Sequence, residues 1–133
     1  MWAATTVIIE VRVNWKGMTM TSIYTLERPL MAPKLYTTET QERQAVLAYA
    51  HYFVGSADWY VLEYDPQSDI CFGYARLIKG CGEYGYFSMK ELESLRVKTP
   101  ISIGGITTSY NSLVEFDKYW HPSPITRIIE NLD

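Results

Sequence analysis

The chain has 133 residues, of which 47% are hydrophobic and 20% are charged, and its net charge is −3. This balance is typical of a globular protein of one domain that buries its core without disulfides or metal. The slight acidity and the scattered Lys and Arg disfavour nucleic-acid binding, which usually needs a basic face. A basic surface on another protein is a more fitting partner.

The sequence begins without the basic segment and apolar run of a secretory signal, and no apolar stretch approaches the length of a membrane span. The two cysteines, Cys71 and Cys81, form no metal-binding spacing with the two histidines. We therefore expect a cytoplasmic protein with reduced thiols that binds no membrane, metal or cofactor.

Two segments in the first part of the chain carry an apolar pattern. Residues 5–17 alternate between apolar and polar side chains, which predicts a strand that Gly17 ends. Residues 37–53 begin with helix formers, but from Val46 onward they could continue a helix or form a strand. We interpret residues 1–19 as an N-terminal extension that adds a strand, and 20–133 as a single α+β domain.

The middle of the chain predicts three strands. "WYVLEY" (59–64) and "ICFGYARLI" (70–78) flank a loop that contains Asp65 and Pro66, residues that favour turns. This arrangement indicates a β-hairpin. The short run "YGYFS" (84–88) predicts the next strand.

Two helices are predicted after these strands. Ser88 and Glu91 have the spacing of a capping box, which predicts a helix over 88–96. Ser123 and Pro124 fit the N-cap and the first position of a helix over 123–132. Between the helices, the polar segment 99–112 predicts a loop or weak hairpin, and 113–120 alternates as a strand does.

Four segments resemble a family of small bacterial proteins, domain of unknown function 2958. They are "PKLYTTE" (33–39), "DWYVLEYDPQSDICFGYA" (58–75), "EYGYFSMKELESLR" (83–96) and "LVEFDKYWHPSPI" (113–125). The resemblance implies an accessory role on plasmids, phages or integrons. It implies no reaction, and no catalytic residue is carried over from it.

The chain departs from the family pattern in two places. Segment 99–112 is longer than the usual link before the last strand, and Phe116 replaces an arginine. The resemblance favours the strand interpretation for 46–53. We therefore predict an α+β fold: an antiparallel meander of strands 46–53, 58–64, 70–78 and 84–87, with one or two helices packed on one face.

Acidic residues form the first candidate site. Glu63, Asp65, Asp69 and Glu83 would gather near one end of the hairpin. Paired carboxylates can perform acid–base chemistry or hold a hard cation. Asp65 before Pro66 is also explained as a turn residue, so an acidic patch and solvated turn acids remain the alternatives to a catalytic site.

Tyrosines form the second candidate site, since the chain has eleven of them. Tyrosines on one open sheet face would offer a platform for a peptide, a protein or stacked bases, whereas core packing is the structural alternative. We select for binding the tyrosines on neighbouring strands and the acids beside them: Tyr60, Tyr64, Tyr74, Tyr84, Tyr86, Glu63, Asp65 and Glu83.

The predicted tyrosine-rich sheet offers contact area, and the sequence shows no assembled catalytic site. We therefore favour a non-enzymatic accessory protein that binds another macromolecule, most simply a protein. A homodimer is a further arrangement. The more specific form of this hypothesis is an anti-defence or regulatory inhibitor. The alternatives are a small-ligand binder or enzyme with an acidic and aromatic pocket, and a binder of single-stranded nucleic acid. A nucleophilic Cys81 would need a base such as His51 or His121 nearby.

Overall fold

The structure, a computed structural model, describes residues 6–8 and 23–132. Short 3-10 turns at Thr37–Thr40 and Arg43–Ala45 precede the main sheet. The strands and helices are, in chain order, β1 (Thr6–Ile8), β2 (Ile23–Thr25), β3 (Leu47–Ala48), β4 (Ala50–Val54), β5 (Ala57–Asp65), β6 (Ile70–Arg76), β7 (Gly82–Ser88), α1 (Met89–Ser94), β8 (Arg96–Ile103), β9 (Ile106–Leu113), β10 (Glu115–Phe116), β11 (Ser123–Pro124) and α2 (Ile125–Leu132).

A five-stranded antiparallel sheet organises the fold. Its order is β10-β4-β5-β6-β7, so four strands that follow one another along the chain are also neighbours in space. The predicted meander, the strand over 46–53 and the α+β class are confirmed. The sheet also gains β10, which comes from the predicted strand 113–120, and its position on the outer side of β4 was not predicted.

The two helices pack on opposite faces of this sheet, whereas the prediction placed the helices on one face. Met89 and Leu92 of α1 join the core that contains Tyr52, Trp59 and Val61. Ile125 of α2 joins a second core on the other face, with Leu62 and Tyr74. Both faces of β5 are therefore buried, as its unbroken run of buried residues shows.

A β-bulge in β5 changes which side chains face each core. Val61 pairs with Gly73 and Glu63 pairs with Phe72, so one extra residue, Leu62, lies between them. A bulge of this kind shifts the alternation of side chains by one position. Leu62 and Glu63 consequently both face the α2 side of the sheet, where both line one cleft.

A partly buried ion-pair network ties the N-terminal part of the fold to α1 and to the β5–β6 turn. Arg28 makes two parallel hydrogen bonds to Asp69, each of 2.9 Å, and donates a third of 2.6 Å to Glu93. Tyr64 also donates to Asp69, at 2.6 Å. The hydrogen bond to Glu93 is the main reason that the pKa of Arg28 is raised. Because Arg28 and Tyr64 both donate hydrogen bonds to Asp69, this carboxylate has a structural role.

Several element boundaries differ from the predictions. Segment 99–112 belongs to a regular hairpin of β8 and β9. Within the predicted strand 113–120, only Glu115–Phe116 forms a separate strand after β9. Ser88 is confirmed as the N-cap of α1, since its hydroxyl accepts from the Glu91 N–H. Ser123 and Pro124, by contrast, pair with β3, and α2 begins at Ile125. Of the predicted strand 5–17, the described residues include only β1, so the division at residue 19 stays a prediction.

We predict that Gly73→Ala destabilises the protein because the β5 backbone passes directly over this glycine. An added Cβ would lie 1.9 Å from the carbonyl oxygen of Tyr60. Forcing extra volume into a packed site typically costs about 1–3 kcal/mol. The free energy of unfolding, measured by urea denaturation, should fall by that amount.

The matched control is Gly85→Ala. Gly85 is the cross-strand partner of Gly73 on β7, and an added Cβ there meets nothing within 4 Å. Its free energy of unfolding should change by less than about 0.5 kcal/mol. Equal effects of the two substitutions would show that the close approach of Tyr60 is not the cause.

Candidate functional site

A cleft of about 430 Å³ lies on the α2 side of the sheet, between the segment that precedes β3 and strands β5 to β7. Its volume falls within the range of ligand-binding sites, about 300–1,000 Å³. Its walls combine aromatic rings with charged side chains. The lining residues are Tyr36, Thr38, Glu39, Gln41, Arg43, Val46, Leu62, Glu63, Phe72, Tyr84, Tyr86 and Ile125.

Glu63 fixes residues 36–38, which form one wall of the cleft, through hydrogen bonds. Its side chain is buried, with 2% exposure. One carboxyl oxygen accepts the N–H of Tyr36 at 2.9 Å, and the other accepts the N–H of Thr38 at 2.7 Å and its hydroxyl at 2.5 Å. Buried charged groups persist only where they are hydrogen-bonded. Glu63 therefore fixes the position of the 36–38 wall.

Tyr36 is strained at the mouth of this cleft. Its φ of 72° lies in the left-handed region, which residues with a side chain rarely adopt. The hydrogen bond from its N–H to Glu63 helps to hold this conformation. The Tyr36 ring is 59% exposed and lines the cleft. Backbone strain of this kind is concentrated at functional sites.

Strand β7 supplies the opposite aromatic wall. Tyr84 and Tyr86 are 38% and 56% exposed, and both pack against Phe72 of β6. Desolvation at the cleft and the neighbouring phenol of Tyr36 raise the pKa of Tyr86. The guanidinium of Arg43 lies 5.7 Å from the centre of the Tyr84 ring. The cleft can thus accommodate a flat cation on an aromatic face.

The structure separates the five tyrosines that the sequence selected. Tyr84 and Tyr86 line the cleft. Tyr60 and Tyr74 are buried in the α2 core, and Tyr64 is buried in the core on the other face. The expected open tyrosine platform is therefore limited to β7, because α2 and Trp120 cover the rest of that face.

The selected acids are also dispersed. Glu63 reaches the cleft, whereas Asp65 ends β5 beside the β5–β6 turn, where the Ser68 hydroxyl and the Gln67 N–H lower its pKa. Glu83 pairs with Ala75, near the opposite end of the ladder from the Asp65–Ile70 pair. The expectation that Glu83 gathers with the other acids is wrong, because β7 runs antiparallel to β6 and begins at the far end.

A second cluster of ionisable side chains surrounds His51 on β4. Its Nδ1 contacts Asp117 at 2.9 Å and its Nε2 contacts Asp58 at 2.8 Å. Both ring nitrogens of His51 are therefore within hydrogen-bond distance of a carboxyl group. The ring also stacks on Tyr60 at 4.6 Å. Through these two contacts, His51 links β4 to Asp58 of β5 and to Asp117, which directly follows β10.

The two cysteines lie in different surroundings. Cys71 is buried in the α1 core, where burial raises the pKa of its thiol. Cys81 is exposed in the loop before β7. Within residues 6–8 and 23–132, no three Cys, His, Asp or Glu side chains are grouped to hold a metal ion. No helix in the same ranges is long and apolar enough to cross a membrane.

The family described as "Protein of unknown function (DUF2958)" matches residues 26–120. The chain belongs to this family. The match includes every residue that lines the cleft except Ile125, so the cleft is built from the DUF2958 region. A search of the curated proteins and a search of the solved structures found no match.

The sequence reasoning missed five cleft-lining residues that precede the sheet: Tyr36, Thr38, Glu39, Gln41 and Arg43. The "PKLYTTE" segment, part of the DUF2958 resemblance, did contain a usable signal. A tyrosine beside two threonines and a glutamate is a composition typical of a surface segment that lines a binding cleft. The sequence could not show that Glu63 accepts the backbone N–H groups of this segment.

We predict that Glu63→Gln destabilises the protein and loosens the 36–38 wall. An amide nitrogen would meet an N–H donor and could not accept its hydrogen bond, which typically costs about 1–3 kcal/mol at a buried site. Urea denaturation should show this loss, and the amides of Tyr36 and Thr38 should exchange hydrogen faster. Glu39→Gln, in the exposed part of the same cleft, is the control and should leave both measurements unchanged.

We also predict that Tyr36→Gly gives a more stable protein than Tyr36→Ala. Both substitutions remove the ring, but only glycine adopts a φ of 72° without steric cost. The left-handed conformation costs other residues roughly 1 kcal/mol. The difference in free energy of unfolding between the two variants should be about that size. An alanine variant as stable as the glycine variant would rule out strain at this position.

Proposed function

We propose that the protein is a non-enzymatic binding protein that holds an extended, basic segment of another protein in the cleft beside β7. The observation that carries this proposal is the arrangement of three tyrosine rings, Tyr36, Tyr84 and Tyr86, around a cleft that also contains Glu39 and Glu63. Exposed aromatic side chains are enriched at protein-binding surfaces.

The composition of the cleft favours a cationic side chain. Aromatic faces attract guanidinium and ammonium groups. Arg43 already places its guanidinium over Tyr84, so the geometry for such a contact exists within the molecule. Glu39 is exposed in the same cleft and offers an opposite charge to an incoming Arg or Lys. An acidic protein also attracts basic partners over longer distances.

The position of β7 favours an extended segment. This strand is the last in the five-stranded sheet, and within the described residues no further strand pairs with its outer side. An open edge can accept an added strand through backbone hydrogen bonds, while alternate side chains of that strand enter pockets. Tyr84 and Tyr86 are alternate residues on β7, so they can contact alternate side chains of the partner.

The cellular setting is part of the same proposal. The resemblance to a family found on mobile genetic elements supports an accessory role in the bacterial cytoplasm. An inhibitor that recognises a basic segment of a host regulatory or defence protein is the specific form that we favour. A cleft that binds without performing chemistry is sufficient for such a role.

A small flat cation is the second candidate ligand, because the cleft volume of about 430 Å³ also suits a small molecule. Single-stranded nucleic acid is the third. Glu39 and Glu63 oppose a phosphate backbone in this cleft, since such binding normally uses a basic groove. A basic peptide therefore ranks first.

We predict that a nine-residue peptide of alternating Arg and Val binds the protein, and that the same peptide with Glu in place of Arg does not. Tyr84→Ala and Tyr86→Ala should each weaken binding of the Arg peptide by roughly 2- to 30-fold. Titration calorimetry measures the affinities, and NMR shifts of β7 amides locate the site. Tyr119→Ala, which alters an exposed tyrosine outside the cleft, is the control and should bind as the unmodified protein does.

The sign of the Arg43→Ala effect gives a sharper test. Arg43 is exposed and occupies the face of Tyr84. Its removal takes away a like charge and frees the ring, so the Arg peptide should bind more tightly. Weaker binding after Arg43→Ala, or a preference for the Glu peptide or an oligonucleotide, would contradict the proposal.

A further inference from the structure

The cleft beside β7 contains a buried carboxylate that has hydrogen-bond donors but no countercharge. Glu63 is 2% exposed, and both of its oxygens accept hydrogen bonds from the 36–38 segment. Among the described residues, no Lys, Arg or His forms an ion pair with it. Neutral donors satisfy the lone pairs of a carboxylate but leave its net charge, and buried charges are normally paired. A cation bound in the cleft would supply that pairing.

The negative charge also acts on the aromatic wall of the cleft. Desolvation and the neighbouring Tyr36 phenol raise the pKa of Tyr86, and the carboxylates of Glu63 and Glu39 raise it further. The lining residues include these two acids and one basic residue, Arg43, whose side chain is exposed. The electrostatic potential inside the cleft therefore favours a cation over an anion.

The aromatic rings of the cleft stand at an angle to one another. The ring centre of Phe72 lies 6.4 Å from that of Tyr84 and 5.0 Å from that of Tyr86. The planes of Phe72 and Tyr86 are inclined by 56°, so these two rings form a corner instead of one flat surface. Tyr36 adds a third tyrosine ring to the lining. Several ring faces around one position form the kind of aromatic cage that recognises quaternary ammonium groups.

The small number of hydrogen-bond acceptors at the buried end of the cleft decides which cation fits. A lysine ammonium carries three N–H donors and an arginine guanidinium carries five. The Glu63 oxygens already accept three hydrogen bonds, and the other fully buried lining residues, Val46, Leu62 and Ile125, have apolar side chains. A buried N–H donor without an acceptor weakens binding. A quaternary ammonium carries the positive charge and has no N–H donor.

We propose that the cation that enters this cleft is a quaternary ammonium group, carried by a trimethylated lysine of the extended segment. The aromatic faces contact its methyl groups, and the carboxylate of Glu63 balances its charge. The assignment rests on the proposed function, since it names the side chain that the same cleft takes. A free quaternary ammonium compound has the same chemistry, and a competition experiment distinguishes the two sources.

Titration calorimetry with three nine-residue peptides tests the proposal. Ser and Val alternate on both sides of the central position, which holds trimethyllysine, lysine, or a neutral analogue with carbon in place of the ammonium nitrogen. The trimethyllysine peptide should bind about tenfold more tightly than the lysine peptide. It should also bind roughly 2- to 30-fold more tightly than the neutral analogue. Equal affinity for trimethyllysine and either of the other two would overturn the proposal.

A matched pair of variants at Tyr86 separates the effect of the ring face from simple apolar contact. Tyr86→Phe retains the face and should retain the preference for trimethyllysine over the neutral analogue. Tyr86→Leu retains apolar contact without a ring face, and it should reduce this preference by about threefold or more. Tyr86 is 56% exposed, so both variants should fold, which circular dichroism verifies. The same preference in both variants would overturn the cage.

Competition by tetramethylammonium chloride identifies the source of the ammonium group. It should displace the trimethyllysine peptide more effectively than sodium chloride at equal concentration, but bind more weakly than the peptide. Tetramethylammonium that binds as tightly as the peptide would overturn the lysine source. If the Arg and Val peptide binds but trimethyllysine has no advantage over lysine, the quaternary ammonium assignment fails and the proposed function stands. If neither tetramethylammonium nor any cationic peptide binds, both fail.

Discussion

The hydrogen bonding of the Glu63 carboxylate is the constraint on which the cleft depends. A carboxylate buried to 2% exposure in a sheet is tolerated only when donors surround it. The backbone N–H groups of Tyr36 and Thr38 are those donors, together with the Thr38 hydroxyl. One buried charge thereby anchors a segment that has little regular structure of its own, and the anchored segment becomes the wall of the cleft.

This arrangement places strain and aromatic surface at the same position. Tyr36 adopts a left-handed backbone conformation while most of its ring stays exposed. A residue selected for stability alone would be glycine or asparagine. The presence of tyrosine at a cost in stability is consistent with a ring that contacts a ligand. Other ionisable groups, such as those around His51 and Arg28, satisfy one another and hold elements together.

Local patterns predicted the central elements well. Alternation and turn residues around 59–78 identify β5 and β6, and the Ser88–Glu91 spacing identifies the start of α1. The length of the β8–β9 hairpin was underestimated, because its Thr, Ser and Gly residues are also typical of loops. For the candidate site, Glu63, Tyr84 and Tyr86 reach the cleft. Tyr60, Tyr64 and Tyr74 do not, since α2 and α1 bury them from opposite sides.

Local patterns predict the central meander and the N-capped start of α1, because both depend on residues close together in the chain. The family follows from motifs spread along the sequence. The folded structure places Glu63 in the cleft, since strict alternation would put it with Val61 and the bulge shifts it by one position. It also decided that the helices cover opposite faces and that the 36–43 segment returns to β5. These outcomes depend on contacts between distant segments, and their energies are not encoded in any local pattern.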